Sequence, residues 1–252
     1  MKDLVAVDVG NTRTSCGLFR GGLLRETWHH PTCEPQAVLR LLESRADSLP
    51  LALCSVVPAA SAVLAGHWRS RGRELFEVRI EGQQIISGIY STMGADRLAD
   101  AVAAWKLYGA GGPALAIDLG TATTLTAVSA AGEFRGGLIT LGLGRTMAAL
   151  HQEAAQLPAV ELTEEADWQR MLAFDTEAAI TAGTLQAHVS IVEQWVKLGR
   201  KALGGQAVCV ATGGWSSLLA RQTKAVDYID PDLTLKGIYL IAGRAGVPAD
   251  PA

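Results

Sequence analysis

Apolar residues along the chain change period in an order that occurs twice. Residues 3–9 are Val-rich and alternate, which predicts a strand. Residues 13–20 and 23–29 predict two more strands, joined at Gly21 and Gly22. From Glu34 to Ser48 the spacing turns helical, with Val38, Leu39, Leu41 and Leu42 on one face. LALCSVV (51–57) predicts a buried strand, Pro58 stands where a helix can begin, and FEVRI (76–80) predicts another strand. An Ala- and Leu-rich helix is predicted from Gly94 to Tyr108. Then the order restarts. Residues 114–118, 122–128 and 133–139 predict three strands, followed by a helix over about 145–156. A long helix is predicted over about 176–201, with Ile180, Leu185, Val189, Val192 and Val196 on a broad apolar face. AVCVATGG (207–214) predicts a strand entering a glycine turn, and a short helix, a short strand and a helix over about 233–243 follow.

Each half therefore opens with three consecutive strands and continues with alternating helices and strands, an internal duplication of architecture. The breakers AGGP (110–113) mark the boundary, giving domains 1–112 and 113–252. The halves also share a short device: VAVDVGNTRTSCGLF (5–19) and AIDLGTATTLTAV (116–128) both run from a strand into Asp, an apolar residue, Gly and then small polar residues. An aspartate ending a buried strand holds its carboxylate rigidly at the sheet edge. Gly10 and Gly120 carry no Cβ, so an anion can approach the turn backbone. Asn11, Thr12, Thr14, Thr121, Thr123 and Thr124 add short donors beside the backbone N–H groups. A carboxylate in such a cradle repels phosphate unless a cation lies between them. One copy reads as an ordinary Asp-Gly turn, whereas two at matching places predict a polyphosphate clamped by two related domains.

Composition narrows the class. With 49% hydrophobic and 19% charged residues over 252 positions the chain is globular. A net charge of −3 without a basic cluster argues against nucleic acid as a partner. Apolar runs break well short of the ~20 residues of a membrane helix, so no membrane partner is expected. MKDLVAVDVG does not read as a signal peptide. Cys16, Cys33, Cys54 and Cys209 form no CxxC pair, which predicts reduced thiols in a cytoplasmic protein. The five histidines fit no metal or triad spacing.

The motifs DVGNT (8–12), GADR (94–97), DLGTATT (118–124), GGLI (136–139), DTEAAITAG (175–183), ATGG (211–214) and DPDLTLKG (230–237) occur in an order that resembles the type III pantothenate kinases, members of the acetate kinase, sugar kinase and actin superfamily. The resemblance spans nearly the whole chain. It implies an α/β fold of two actin-like (ribonuclease H-like) domains with ATP in the cleft between them. It further implies phosphorylation of pantothenate, the first step of coenzyme A synthesis, by a homodimer using ATP, Mg2+ and a monovalent cation, potassium or ammonium. Asp8, Val9, Gly10, Asn11, Thr12, Arg13, Thr14 and Ser15 correspond to the first ATP phosphate loop, and Thr121 to an ATP contact in the second. Asp118 corresponds to the ligand of the monovalent cation. Gly94, Ala95, Asp96 and Arg97 correspond to the pantothenate site, with Asp96 as general base, and Thr176 to a further pantothenate contact. ATGG corresponds to an adenosine-side loop.

The residues themselves agree with these roles. A kinase acting on an alcohol needs a carboxylate at the hydroxyl, as Asp96 offers, and a cation for an anionic substrate, as Arg97 offers. Tyr90 is a candidate pantothenate contact, although it precedes Gly94 by fewer residues than in many relatives. Leu141 stands where the family's GGxIxPG has proline, which leaves the turn before the 145–156 helix open. Arg13 replaces a common Asn. Two rival functions stay open at this point: a sugar- or polyphosphate-acting kinase or phosphatase of the same superfamily, and a non-enzymatic regulator resembling the Bvg accessory factors.

Overall fold

Two five-stranded sheets, each ordered third–second–first–fourth–fifth strand, organise the computed structural model, which describes residues 3–162 and 172–244. The chain divides into one unit of residues 3–107 with 232–244 and a second of Tyr108–Pro231.

The first unit contains β1 (Leu4–Val9), β2 (Arg13–Arg20), β3 (Leu23–Pro31), α1 (Pro35–Ala46), β4 (Leu51–Ser55), α2 (Pro58–Ser70), β5 (Leu75–Glu77) and α3 (Ala95–Ala103). β1, β2 and β3 form an antiparallel meander, while β4 and β5 extend it in parallel from β1. Alternation sorts the two faces of the sheet. Val5, Val7 and Val9 join Cys16, Leu18, Leu42, Leu64 and the fully buried Trp68 in the core beneath α1 and α2. The opposite face carries Ala6, Asp8, Ser15, Gly17 and Cys54, small or polar residues that let helices come close.

The second unit repeats the plan with β6 (Ala114–Leu119), β7 (Ala122–Val128), β8 (Phe134–Leu141), α4 (Leu143–Glu153), α5 (Thr176–Ala202), β9 (Val208–Thr212), α6 (Ser216–Leu219) and β10 (Tyr228–Ile229). β6, β7 and β8 are antiparallel, and β9 and β10 are parallel to β6. Leu115, Ile117 and Leu119 pack with Leu185, Val192 and Val196 of α5. β1 and β6 show the same burial along their length, with only the aspartate in fifth place partly open.

The last helix, α7 (Leu233–Arg244), differs from the sequence division at 112/113. It packs on α3, β1, β4 and β2, so it completes the first unit rather than the second. Phe19 stacks on Tyr239 at 4.2 Å between ring centroids, and Leu235 reaches Gly17. Gly237 sits directly on Ala99 of α3, where a Cβ would fall 2.8 Å from Ala99 Cα and closer still to its carbonyl. Three smaller differences appear. The strand expected over 76–80 is only Leu75–Glu77, since Val78 makes one last bond to the Leu53 carbonyl before the chain leaves the sheet. The helix expected to reach Tyr108 is α-helical to Ala103 and then a π-helical turn over Ala104–Tyr108. α4 begins at Leu143, capped by Gly142, two residues before the expected start.

Candidate active site

In the first unit Asp8 lies opposite Ser15 and Cys54 in the ladder, so all three side chains share the face on which α3 and α7 pack. After Val9 the chain turns through Gly10, Asn11 and Thr12, closed by the bond from Gly10 N–H to the Arg13 carbonyl (3.1 Å). Asn11, Thr12 and Arg13 are exposed, as a ligand-binding loop requires. The other residues of the predicted loop are placed differently. Val9 belongs to the core and offers only backbone. Thr14 is buried, with its hydroxyl 3.0 Å from that of Thr32, and the buried Ser15 hydroxyl lies 3.0 Å from His29 Nδ1. Thr32 also donates to the Gly10 carbonyl (2.8 Å). The sequence reading overlooked Thr32. The available signal was its position just past the third strand, where the second half has Gly142.

α3 presents the predicted substrate motif. Gly94 caps it in extended conformation, and a Cβ there would overlap the Asp96 carboxylate. Asp96 folds back over the helix start, its Oδ1 accepting from the Arg97 backbone N–H (2.7 Å), where the helix dipole favours negative charge. Burial nevertheless pushes its carboxyl above the ordinary range, against the pull of that N–H and of the Arg97 charge. Arg97 is buried and donates from Nη1 to the Tyr90 hydroxyl (2.7 Å), so Tyr90, Asp96 and Arg97 are held as one group despite the short linker. Burial and the charges of Asp8, Asp96 and Asp100, in that order, push the Cys54 thiol well up.

The second unit repeats the turn with one residue fewer. Gly120 N–H bonds the Ala122 carbonyl (3.1 Å), and Gly142 N–H bonds the Thr121 carbonyl (3.0 Å). Asp118 lies in register between Thr124 and Thr212. Two glycines crowd its carboxylate. A Cβ on Gly120 would come 3.2 Å from Oδ1, and one on Gly213 would overlap it while lying 2.6 Å from the Leu119 carbonyl carbon. Gly213 therefore serves Asp118 and the strand end directly, at φ 90°. Thr176 is the exposed first residue of α5, whose cap Asp175 accepts from the Ala178 N–H (2.8 Å).

Comparison with known proteins fits this architecture. The family described as type III pantothenate kinase matches residues 4–198. A type III pantothenate kinase of Rubrobacter xylanophilus is 36% identical, with 94% of this chain and 96% of the relative covered. Among solved structures, a Campylobacter jejuni protein described as a Baf family transcriptional activator aligns with TM-score 0.63 and 16% identity over 96% of this chain and 98% of its own. A ROK hexokinase of Thermus thermophilus aligns with TM-score 0.53 and 17% identity over 95% and 98%. The structural likenesses place the two sheets in the actin-like and sugar-kinase fold class, and with the near full-length match in sequence the chain belongs to the type III pantothenate kinase family.

Proposed function

We propose that the protein transfers the γ-phosphoryl group of ATP to the primary hydroxyl of pantothenate, giving 4′-phosphopantothenate, the first step of coenzyme A synthesis. The observation that carries this reading is the strand–Asp–x–Gly turn built twice, with the same strand burial and each turn closed by a bond from the glycine N–H to the first residue of the next strand, in a chain of this family. The exposed turn at 10–13 binds nucleotide phosphates through backbone N–H groups and the side chains of Asn11, Thr12 and Arg13, and Thr121 contacts phosphate in the second turn. Gly94, Ala95, Arg97 and Tyr90 hold pantothenate, and Thr176 reaches the pantothenate of a second copy of the chain. Arg97, already oriented by Tyr90, pairs with its carboxylate. Asp96 orients the hydroxyl and accepts its proton late in transfer, and its raised affinity for protons suits a base. The hard oxygens of Asp8 suit a Mg2+ carried with the nucleotide, and the closely packed carboxylate of Asp118 suits a potassium or ammonium ion. When bound, these ions neutralise phosphate charge.

A homodimer is part of the proposal. β8 is an edge strand with Leu138, Ile139 and Leu141 exposed, and Phe174, just before α5, is 95% exposed. A second copy of the chain would bury such exposed apolar side chains. The four free cysteines suit the cytoplasm.

The test is ADP release measured with ATP and either pantothenate or a hexose, in potassium or sodium buffer. Pantothenate should drive release and potassium should exceed sodium. Release with hexose alone would move the protein to a sugar-kinase function, and indifference to the cation would remove Asp118 from its role.

A further inference from the structure

The residue after the third strand makes the same bond in both units. Thr32 N–H donates to the Thr12 carbonyl (3.1 Å), and Gly142 N–H donates to the Thr121 carbonyl (3.0 Å). Both bonds end on the turn that follows the aspartate strand. In the second unit the position requires glycine, because a Cβ on Gly142 would fall 2.6 Å from the Thr121 carbonyl oxygen and overlap that of Gly120. In the first unit it is threonine, and the side chain adds a second hold. Thr32 Oγ1 donates its single proton to the Gly10 carbonyl (2.8 Å), so Thr14 must be the donor in the 3.0 Å contact between the two hydroxyls. Both threonines of the chain Thr14 to Thr32 to Gly10 are buried, Thr14 2% and Thr32 5% exposed, and Gly10 is partly buried.

The consequence lies in peptide geometry. In a trans peptide the carbonyl of Gly10 and the N–H of Asn11 point in opposite directions. Drawing the Gly10 carbonyl inward to Thr32 therefore turns the Asn11 N–H outward, to the exposed side of the turn. We propose that Thr32 is a positioning residue for the nucleotide phosphates, acting through the Gly10 carbonyl to aim the Asn11 N–H. This rests on the reading of residues 10–13 as a phosphate loop.

The decisive variant is Thr32→Val, which keeps the shape and removes the hydroxyl, with Thr32→Ser as rescue and Asn11→Ala as a control on the loop. KM for ATP, KM for pantothenate, kcat and the melting temperature are measured for each, with the Kd of a non-hydrolysable ATP analogue by calorimetry. Thr32→Val should raise both KM for ATP and the analogue Kd on the order of tenfold, as expected for a lost buried hydrogen bond. KM for pantothenate should stay within about twofold, and Thr32→Ser should restore nucleotide affinity. If Thr32→Val does not fold, Thr32→Ala takes its place. Unchanged nucleotide affinity in the folded variant, with Asn11→Ala impaired, overturns the positioning role. An equal rise in both KM values overturns it too, since that marks general loosening. If Asn11→Ala and Thr32→Val both leave nucleotide affinity unchanged, the loop reading falls and the positioning role falls with it.

Discussion

Replacing Gly237 by alanine should damage catalysis from a residue on the helix behind the proposed substrate motif. The new Cβ would lie 2.8 Å from Ala99 Cα and nearer to the Ala99 carbonyl, where carbon contacts settle at about 3.5–4.0 Å. Both obstacles are backbone, so no side chain can yield, and α7 and α3 must separate by about 1 Å. Overpacking of this kind costs about 1–3 kcal/mol. At about 2–4 °C per kcal/mol for a chain of this size, melting should fall by roughly 2–12 °C. Asp96, the proposed base, sits less than one turn from Ala99 on the same helix, and a misplacement of about 1 Å at a reacting group costs up to about 10²-fold in rate. The assays are thermal melting by circular dichroism and steady-state turnover well below the melting range. A lower melting temperature with native kcat would refute the coupling of α7 to Asp96. Native values of both would refute the close approach itself.

Asp96→Asn should reduce kcat about 10²-fold or more while the protein stays folded. Because burial raises the Asp96 carboxyl, the acid limb of native kcat/KM should lie above the range of an ordinary carboxylate, with activity lost as pH falls through it. The linked stability runs the other way: an acid whose folded-state pKa is raised destabilises the fold when ionised, and stability returns as pH falls through that pKa. Asp96→Asn should therefore melt no lower than native at neutral pH, and a clear drop would contradict this. Mixing Asp96→Asn with Thr176→Ala tests the shared site of the proposed dimer. If Thr176 serves the partner's pantothenate, half of the randomly exchanged dimers carry one intact site, and about a quarter of native activity should return. A mixture that stays inactive after demonstrated exchange would end the shared-site reading.

Much of this site is local, and so it was legible. The period-2 runs located β1, β2, β6 and β7 closely, because alternation reports a sheet with one apolar face over a core. Asp8 and Asp118 stood out because strand, aspartate and glycine adjoin in the chain. Gly94 and Asp96 were visible for the same reason. What escaped notice comes from contacts between distant segments. Thr32 follows an apolar strand like any turn threonine, and only the return of β3 alongside β2 sets it beside Gly10. Gly213 reads as room for a ligand until β9 pairs with β6 and brings it onto Asp118. α7 follows the second half in the chain, and its amphipathic pattern carries no address. Gly237 was the clue to a close partner, and it did not say which.

The return of α7 also dictates an order of assembly. The second unit is one continuous stretch, whereas the first is made from segments on either side of it. On a ribosome working at about 5–20 residues per second, the 108–231 segment takes roughly 6–25 seconds to emerge. Throughout that interval the inner face of the first sheet, with Phe19 and the small residues around Asp8, waits for its closing helix. The unit synthesised first is thus the unit finished last, and chaperones or stalled translation would act on the half that carries Asp96.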